Sequence, residues 1–273
     1  MPELPEVEVI RQGLQKHLPG RQIAAVKTNR KKLRLPVPMK QLEQYIIGAR
    51  VAAVGRRAKY LLINMDNGAA LVIHLGMSGR LGILPAAAPL KKHDHLRWLL
   101  EDRNELRFND SRRFGSVQVL KPGETLQDRI PEIGPEPLGP GFTAAYLKDR
   151  ARGRKQPIKN FLMDGRIVVG IGNIYACETL FRASIRPTIP AGRVGIRRWQ
   201  RVVDAAQAVL RNAIASGGTT INDFVNASGK TGYFQLELQV YGRARQPCRT
   251  CTTPITRKVM AGRATFFCPA CQK

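Results

Sequence analysis

The sequence predicts an α+β multidomain protein: an N-terminal β-sandwich with flanking helices, then a helical domain, then a C-terminal zinc-finger β-hairpin. Three observations carry this. Short β-rich segments with hairpin turns fill the first 120 or so residues, behind one amphipathic helix. A proline- and glycine-rich stretch from Ile130 to Phe142 then separates them from segments with helical periodicity. Finally, four of the five cysteines stand as two close pairs within the last 26 residues.

The chain opens Met1-Pro2-Glu3-Leu4-Pro5-Glu6-Val7-Glu8. Prolines and acidic residues suit the first turn of a helix and the positive end of its dipole. Val7, Ile10, Leu14 and Leu18 follow at helical spacing. Pro2 also admits a chemical reading. With Met1 removed it is a secondary amine, able to attack an aldehyde-like carbon and form an iminium, as a Schiff-base lysine does. An α-amino group has a pKa near ~8, against about 10.4 for lysine, so more of it is free base at neutral pH.

Residues 21 to 84 read as a run of strands, including Val51–Val54, Lys59–Met65 and Ala69–Leu75, with Asp66-Asn67-Gly68 as a hairpin turn. A second hairpin, His95–Glu101 with Glu105–Phe108, turns at Asp102-Arg103-Asn104, and Val117–Leu120 closes the series. Two loops here carry apolar residues among glycines and arginines: His74-Leu75-Gly76-Met77-Ser78-Gly79-Arg80 and Asn109-Asp110-Ser111-Arg112-Arg113-Phe114-Gly115. Met77 and Phe114 fit core packing at strand ends and equally fit wedges between bases.

Beyond the linker, helices are expected at Ala144–Arg150, Pro157–Met163, Ile174–Ala183 and Arg197–Ser216. The longest has an apolar face from Trp199 to Ile214. Asn173, after Gly170-Ile171-Gly172, is expected to cap a helix whose amides suit a phosphate, although a plain capped turn explains it as well. Cys177 reads as a buried small apolar residue. The Asn226–Gly232 loop lacks the full phosphate-loop pattern, so no nucleotide cofactor is expected. The domain limits are 1–130 for the sandwich, 131–143 for the linker, 144–235 for the helical domain and 236–273 for the finger.

The finger is Cys248-x2-Cys251-x16-Cys268-x2-Cys271, spacing that suits one tetrahedral zinc ion with a hairpin between the two knuckles. All four ligands are sulfur, which leaves no open position and makes the zinc structural. Arg257, Lys258 and Arg263 make that hairpin basic.

The 273 residues carry 45 Lys+Arg against 20 Asp+Glu, a net charge of +25 without a basic tail to account for it. Such a balance favours a polyanionic partner, nucleic acid first. No apolar run reaches the ~18 residues needed to span a bilayer, and the acidic opening is unlike a secretory signal. A cytoplasmic monomer is expected.

Together these landmarks resemble one family, the bacterial formamidopyrimidine-DNA glycosylases. The matching stretches are Pro2–Glu8, Lys59, His74–Gly79, Arg112–Gly115, Ile158–Lys159 through Gly170–Ile174, Gly229–Phe234, and the four-cysteine finger with Gly262-Arg263-Ala264-Thr265. The resemblance implies a β-sandwich, a helix–two-turns–helix domain and a zinc finger, with DNA in the cleft between domains. It implies an enzyme acting on the bacterial nucleoid that removes oxidised purines, chiefly 8-oxoguanine and formamidopyrimidines, and then cuts the strand, abasic sites included, by β,δ-elimination.

By the same resemblance Pro2 attacks C1′, Glu3 protonates the sugar ring oxygen, and Lys59 stands beside the lesion phosphate. Met77, Arg112 and Phe114 fill the gap left by the everted base, and His74 belongs to the same DNA-contacting stretch. Lys159, Asn173 and Arg263 grip the backbone around the flipped nucleotide, Arg263 close enough to share in catalysis. Lys230 and Tyr233 lie in a loop, Ser228–Tyr233, that closes over the lesion. Thr231 stands where relatives can carry proline. The sister endonuclease VIII shares the architecture and prefers oxidised pyrimidines, but Leu4–Val7 and the Met77, Arg112 and Phe114 set resemble the purine enzymes.

Overall fold

The computed structural model describes residues 2–29, 32–129, 133–217 and 238–273. They fall into two compact units, residues up to 129 and residues 133–216 with 238–273.

In the first unit, α1 (Leu4–His17) buries Val7, Ile10 and Leu14, and its C-cap Leu18 is buried behind them, as the periodicity requires. The strands are β1 (Ile23–Thr28), β2 (Val51–Arg57), β3 (Tyr60–Met65), β4 (Ala70–His74), β5 (Arg80–Pro85), β6 (Asp94–Leu100), β7 (Asn104–Asn109) and β8 (Ser116–Leu120). They form two antiparallel four-stranded sheets, ordered β1-β6-β7-β5 and β2-β3-β4-β8. Alternation sends Leu61 and Ile63 of β3, Leu71 and Ile73 of β4, and Trp98 and Phe108 of the other sheet into one shared core. The hairpins at Asp66–Gly68 and Asp102–Asn104 lie where expected.

One expectation fails here. The stretch from residue 21 to 84, read as a run of strands, also contains the helix α2 (Met39–Tyr45), started behind Pro36-Val37-Pro38. With seven residues, of which only Leu42 is fully buried, it is too short to show a helical period. A four-residue helix, α3 (Leu126–Arg129), ends the unit.

The second unit holds α4 (Ala144–Arg150), α5 (Ile158–Leu162), α6 (Asn173–Arg182) and α7 (Ile196–Ala215), each within a residue or two of the expected limits, together with the hairpin β9 (Thr256–Met260) and β10 (Arg263–Phe267). Trp199, Val202, Ala206 and Leu210 of α7 pack on Phe161 and Tyr175. The stretch expected as linker is built into this unit. Gly134 N donates to Gly165 O, Val169 N to Pro135 O, and Phe142 is buried in the helical core. A Cβ on Gly134 would sit 2.6 Å from Ile167 O, so only glycine permits this approach. The finger likewise shares a core with the helices: Cys177 of α6 packs with Val240, Ile255, Phe266 and Cys268.

Candidate active site and zinc centre

At the start of α1, Pro2 is partly exposed and Glu3 is buried. Glu3 is the N-cap, joined to Glu6 in a reciprocal capping box in which Glu3 N donates to Glu6 Oε2 at 2.8 Å. Glu3 therefore stands on a turn tied by the capping box, with Pro2 directly before it. One helical turn on, Glu8 accepts from Arg11 Nη2 at 2.8 Å and from Arg56 Nε at 2.9 Å. These guanidinium contacts outweigh burial and hold the Glu8 carboxyl below its usual range.

Arg56 carries the link onward by donating from Nη1 to Ala58 O at 2.8 Å. Ala58 has φ 55°, a left-handed conformation that costs a residue with a Cβ about 1–2 kcal/mol. It forms the tight turn between β2 and β3 with Lys59. The chain α1–Glu8–Arg56–Ala58 thus fixes the Lys59 turn to the helix that bears Pro2. His74, at the end of β4 and paired across the sheet with Tyr60, has its ring 4.9 Å from the Tyr60 ring. Burial, then the charges of Arg34 and Lys59, lower its pKa to about 4. Its Nδ1 accepts from Gly76 N at 3.0 Å, which leaves the proton of the neutral ring on Nε2. Lys59 and Arg34 are thus near enough to act on the His74 ring with their charges.

The two glycine-containing loops meet. A Cβ on Gly76 would fall 2.4 Å from the Phe114 carbonyl carbon, so the backbones touch there and Gly76, at φ 64°, cannot be replaced without displacement. Asp110 joins them. Fully buried, it accepts from Ser78 Oγ at 2.6 Å and Arg112 N at 3.3 Å on one carboxylate oxygen and from Gly115 N at 2.8 Å on the other. His95 Nε2 lies 2.9 Å from Asp110 O beneath them. Held in this way, Met77 is 39% and Phe114 46% exposed, so neither is a core residue. Arg112 stacks over the Phe114 ring at 4.9 Å.

In the second unit Asn173 does not cap α6. Gly172, extended at φ −114°, is the N-cap, and Asn173 Nδ2 instead donates to Ala264 O of the hairpin at 2.9 Å. Its Oδ1 is buried and has no hydrogen-bond partner. Lys159 is fully buried, with Nζ donating to Thr265 Oγ1 at 2.8 Å. That position fastens α5 to β10 and keeps the ammonium away from solvent. Arg263, beside the Ala261-Gly262 turn, is exposed. Lys230 and Tyr233, with the rest of the 228–233 loop, lie outside the described residues.

The sulfur atoms of Cys248, Cys251, Cys268 and Cys271 lie within 4.8 Å of one another, with separations of 3.3 Å between Cys251 and Cys271, 3.4 Å between Cys251 and Cys268, and 3.9 Å between Cys248 and Cys271. Zn–S bonds of about 2.3 Å in a tetrahedron place sulfurs about 3.8 Å apart, so one zinc ion fits. Hydrogen bonds from Thr253, then from Cys271, bring Cys251 down to about 6, whereas sharing its hydrogen with Cys251 pushes the Cys271 thiol up. A divalent cation removes that conflict by replacing the protons. Gln272, fully buried, anchors the last knuckle by accepting from Cys268 N and donating to Ile185 O, each at 2.9 Å.

Sequence reasoning did not find Asp110, the Glu8–Arg56 link, Gln272, or Glu178, whose buried carboxylate accepts from the backbone N–H groups of Gln239, Val240 and Tyr241 at 2.9–3.0 Å. Glu178 had one available signal, a charged residue on the apolar side of α6.

Three family models match in order: the formamidopyrimidine-DNA glycosylase N-terminal domain over residues 1–117, the H2TH domain of the same enzymes over 133–225, and the zinc finger found in FPG and IleRS over 245–273. The chain belongs to the formamidopyrimidine-DNA glycosylase family. It is 48% identical to formamidopyrimidine-DNA glycosylases of Acidithiobacillus ferrooxidans, over 273 residues, and Burkholderia cenocepacia, over 279, with all of each chain covered. Among solved structures, a Lactococcus lactis FPG mutant in complex with Fapy-dG-containing DNA superposes with a TM-score of 0.92 at 32% identity, over 100% of both chains. The Lactococcus lactis Fpg complex with abasic-site DNA gives 0.90 at 33% identity, over 99% of both. The expected sandwich, helix–two-turns–helix domain and zinc finger are therefore those of this glycosylase family. Among the described residues, no helix is long and apolar enough to cross a membrane.

Proposed function

We propose that the protein is a bifunctional glycosylase and abasic-site lyase that excises oxidised purines, 8-oxoguanine and formamidopyrimidines, from duplex DNA through a Schiff base on Pro2. The observation that carries this is the accessible Pro2 standing directly before the buried, hydrogen-bonded Glu3 on a turn that the capping box holds rigid. With Met1 removed, the Pro2 nitrogen attacks C1′ and the bond from C1′ to the base breaks, the base leaving with a proton. Glu3 protonates the ring oxygen as the sugar opens, giving an iminium at C1′. The iminium acidifies the C2′ proton. Its loss expels the 3′ phosphate, a second elimination expels the 5′ phosphate, and water releases the sugar fragment from Pro2.

Lys59 and neutral His74 bind the lesion phosphate. Met77, Arg112 and Phe114 occupy the gap left by the everted base, where Arg112 meets the base opposite and the two apolar side chains stack on neighbours. Asn173, with its unpartnered Oδ1, and Arg263 border the everted nucleotide. Lys159 serves them by fixing the hairpin that carries Arg263, and Lys230 and Tyr233 close over the base. Zinc takes no part in bond breaking and holds the finger together. The Lactococcus lactis enzyme has been solved with Fapy-dG, abasic-site and oxidised-pyrimidine DNA, which supports a purine lesion as substrate and a wider tolerance beside it.

Borohydride trapping on a duplex with one 8-oxoguanine opposite cytosine, followed by mass spectrometry, tests the reading. A covalent DNA adduct on a peptide beginning at Pro2 is expected, with none from Pro2→Gly. An adduct elsewhere, or strand cutting by Pro2→Gly at the wild-type rate, removes Pro2 from the mechanism. Cleavage of thymine glycol clearly in preference to 8-oxoguanine in matched duplexes overturns the substrate assignment.

A further inference from the structure

The residues discussed so far leave much of the +25 charge unexplained, and a large share of it gathers elsewhere on the second unit. The segment Lys148-Asp149-Arg150-Ala151-Arg152-Gly153-Arg154-Lys155 holds five cations and one acid, and the segment from Arg193 to Arg201 holds four cations and no acid. These two stretches are far apart in the chain and are joined in the fold. Gly192 N donates to Arg154 O at 3.0 Å, Ala191 N to Gln156 O at 2.9 Å, and Lys148 Nζ to Val194 O at 3.2 Å. The approach is close enough that a Cβ on Gly192 would lie 2.9 Å from Arg154 O. A groove of about 410 Å³ runs along the seam, bordered by Lys148, Arg152 and Ile196.

The ordinary account of a charged surface is a solvated face on which both signs alternate. That account does not fit here. Asp149 meets Arg152 at 3.4 Å in a pair so exposed, 86% for Arg152 and 70% for Asp149, that it neutralises little. The next acids along the chain are few and already engaged: Asp164 with Arg166, Glu178 with buried backbone amides, and Asp204, three residues after Arg201, with Gln200 Nε2 at 2.9 Å. Concentrated like charge costs free energy unless a polyanion relieves it. Guanidinium groups suit phosphate oxygens, through paired N–H donors. The single exposed large apolar side chain at the groove, Ile196, offers too little for insertion into a lipid surface.

We propose that this basic face is a second DNA-contact surface, one that takes backbone phosphates of duplex lying outside the lesion segment. It reads no bases and does no chemistry. Its work is to hold the enzyme on undamaged DNA, and it does not depend on Pro2 being the nucleophile.

The test is the triple variant Arg152→Gln/Arg193→Gln/Arg197→Gln, beside Arg152→Lys/Arg193→Lys/Arg197→Lys. Affinity for a long undamaged duplex is measured against salt, and single-turnover cleavage is measured on a short duplex ending about six base pairs either side of an 8-oxoguanine. Each lost phosphate contact lowers the slope of log affinity against log salt by about 0.9, so three contacts make wild type lose about 40-fold more affinity than the glutamine variant between 50 and 200 mM salt. The lysine variant should keep the wild-type slope, and short-duplex cleavage should be unchanged in both. An unchanged slope in the glutamine variant overturns the proposal, as does an equal loss on short and long duplexes, which would assign these arginines to the lesion site itself. If the glutamine variant melts below the assay temperature, the lysine variant and Arg193→Gln alone decide the matter, with about 3.5-fold expected for the single change over the same salt range.

Discussion

Asp110→Asn is the most informative single substitution. The wild-type carboxylate is fully buried and accepts a hydroxyl hydrogen from Ser78 and amide hydrogens from Gly115 and Arg112. Hydrogen bonds to a charged group contribute about 1.5–3 kcal/mol each. Asparagine keeps the volume but has one acceptor atom, so either Ser78 and Arg112 or Gly115 must face an NH2 group. One strong bond is lost and a buried N–H or hydroxyl is left without its acceptor, a destabilisation of about 2–4 kcal/mol. Urea unfolding followed by circular dichroism measures it as a lowered midpoint with an unchanged slope. Because the same carboxylate spans the loops bearing Met77 and Phe114, cleavage of 8-oxoguanine should fall at least tenfold, and an already abasic site should be cut with a smaller loss. Ser78→Ala removes the 2.6 Å bond to Asp110 and the 3.1 Å bond that Ser78 Oγ accepts from Arg112 N, leaves Gly115 held, and should show the same pattern at lower amplitude. Were Asp110→Asn to unfold within about 0.5 kcal/mol of wild type and cut 8-oxoguanine at the wild-type rate, the carboxylate would not be what joins the loops.

Arg56→Ala removes both the bond to Glu8 and the bond to Ala58 O, so the Lys59 turn should loosen; base excision should slow about tenfold with little change in lesion-duplex affinity, and a pure binding defect would contradict this. His74 titrates near 4 in the folded chain against 6.5 unfolded, so the unfolded chain binds the proton more readily between those values. Stability from this group is complete above pH 6.5 and declines as pH falls towards 4, by at most about 3 kcal/mol; His74→Gln should flatten the pH dependence of the urea midpoint, and an unaltered dependence would refute the assignment. Cys268→Ser should lower bound zinc from one ion per chain and destabilise the second unit by several kcal/mol, checked by metal analysis and thermal melting; full zinc content would show the four-sulfur site to be misassigned.

What the sequence revealed and what it concealed follow one physical division. Local periodicity exposed α1, α7 and most strands, because each buries one face at a fixed repeat. Cysteine spacing exposed the zinc site because both knuckles are local. The short α2 escaped because one buried leucine makes no period. Asn173 looked like a cap because caps are judged from neighbours, whereas its side chain is claimed by Ala264, 91 residues on. Lys159 entered only through the family resemblance, as a grip on the DNA backbone, because nothing local to it reveals its partner Thr265, 106 residues away. Asp110 resembled any turn aspartate; only the folded chain brings Ser78, 32 residues earlier, against it. Local pattern thus predicted where the elements are, and long-range hydrogen bonds decide what several of their polar residues do.

The contact between Gly76 and the Phe114–Gly115 backbone also bears on how fast DNA can be searched. Two loops pressed together without room for a Cβ, and joined by a buried carboxylate, are braced against one another. The exposed tips of Met77, Arg112 and Phe114 move instead by rotamer exchange, which takes picoseconds to nanoseconds, while collective loop and domain motions take microseconds or longer. In the proposed function, side chains that exchange this fast can sample a base step without waiting for the loops beneath them to rearrange.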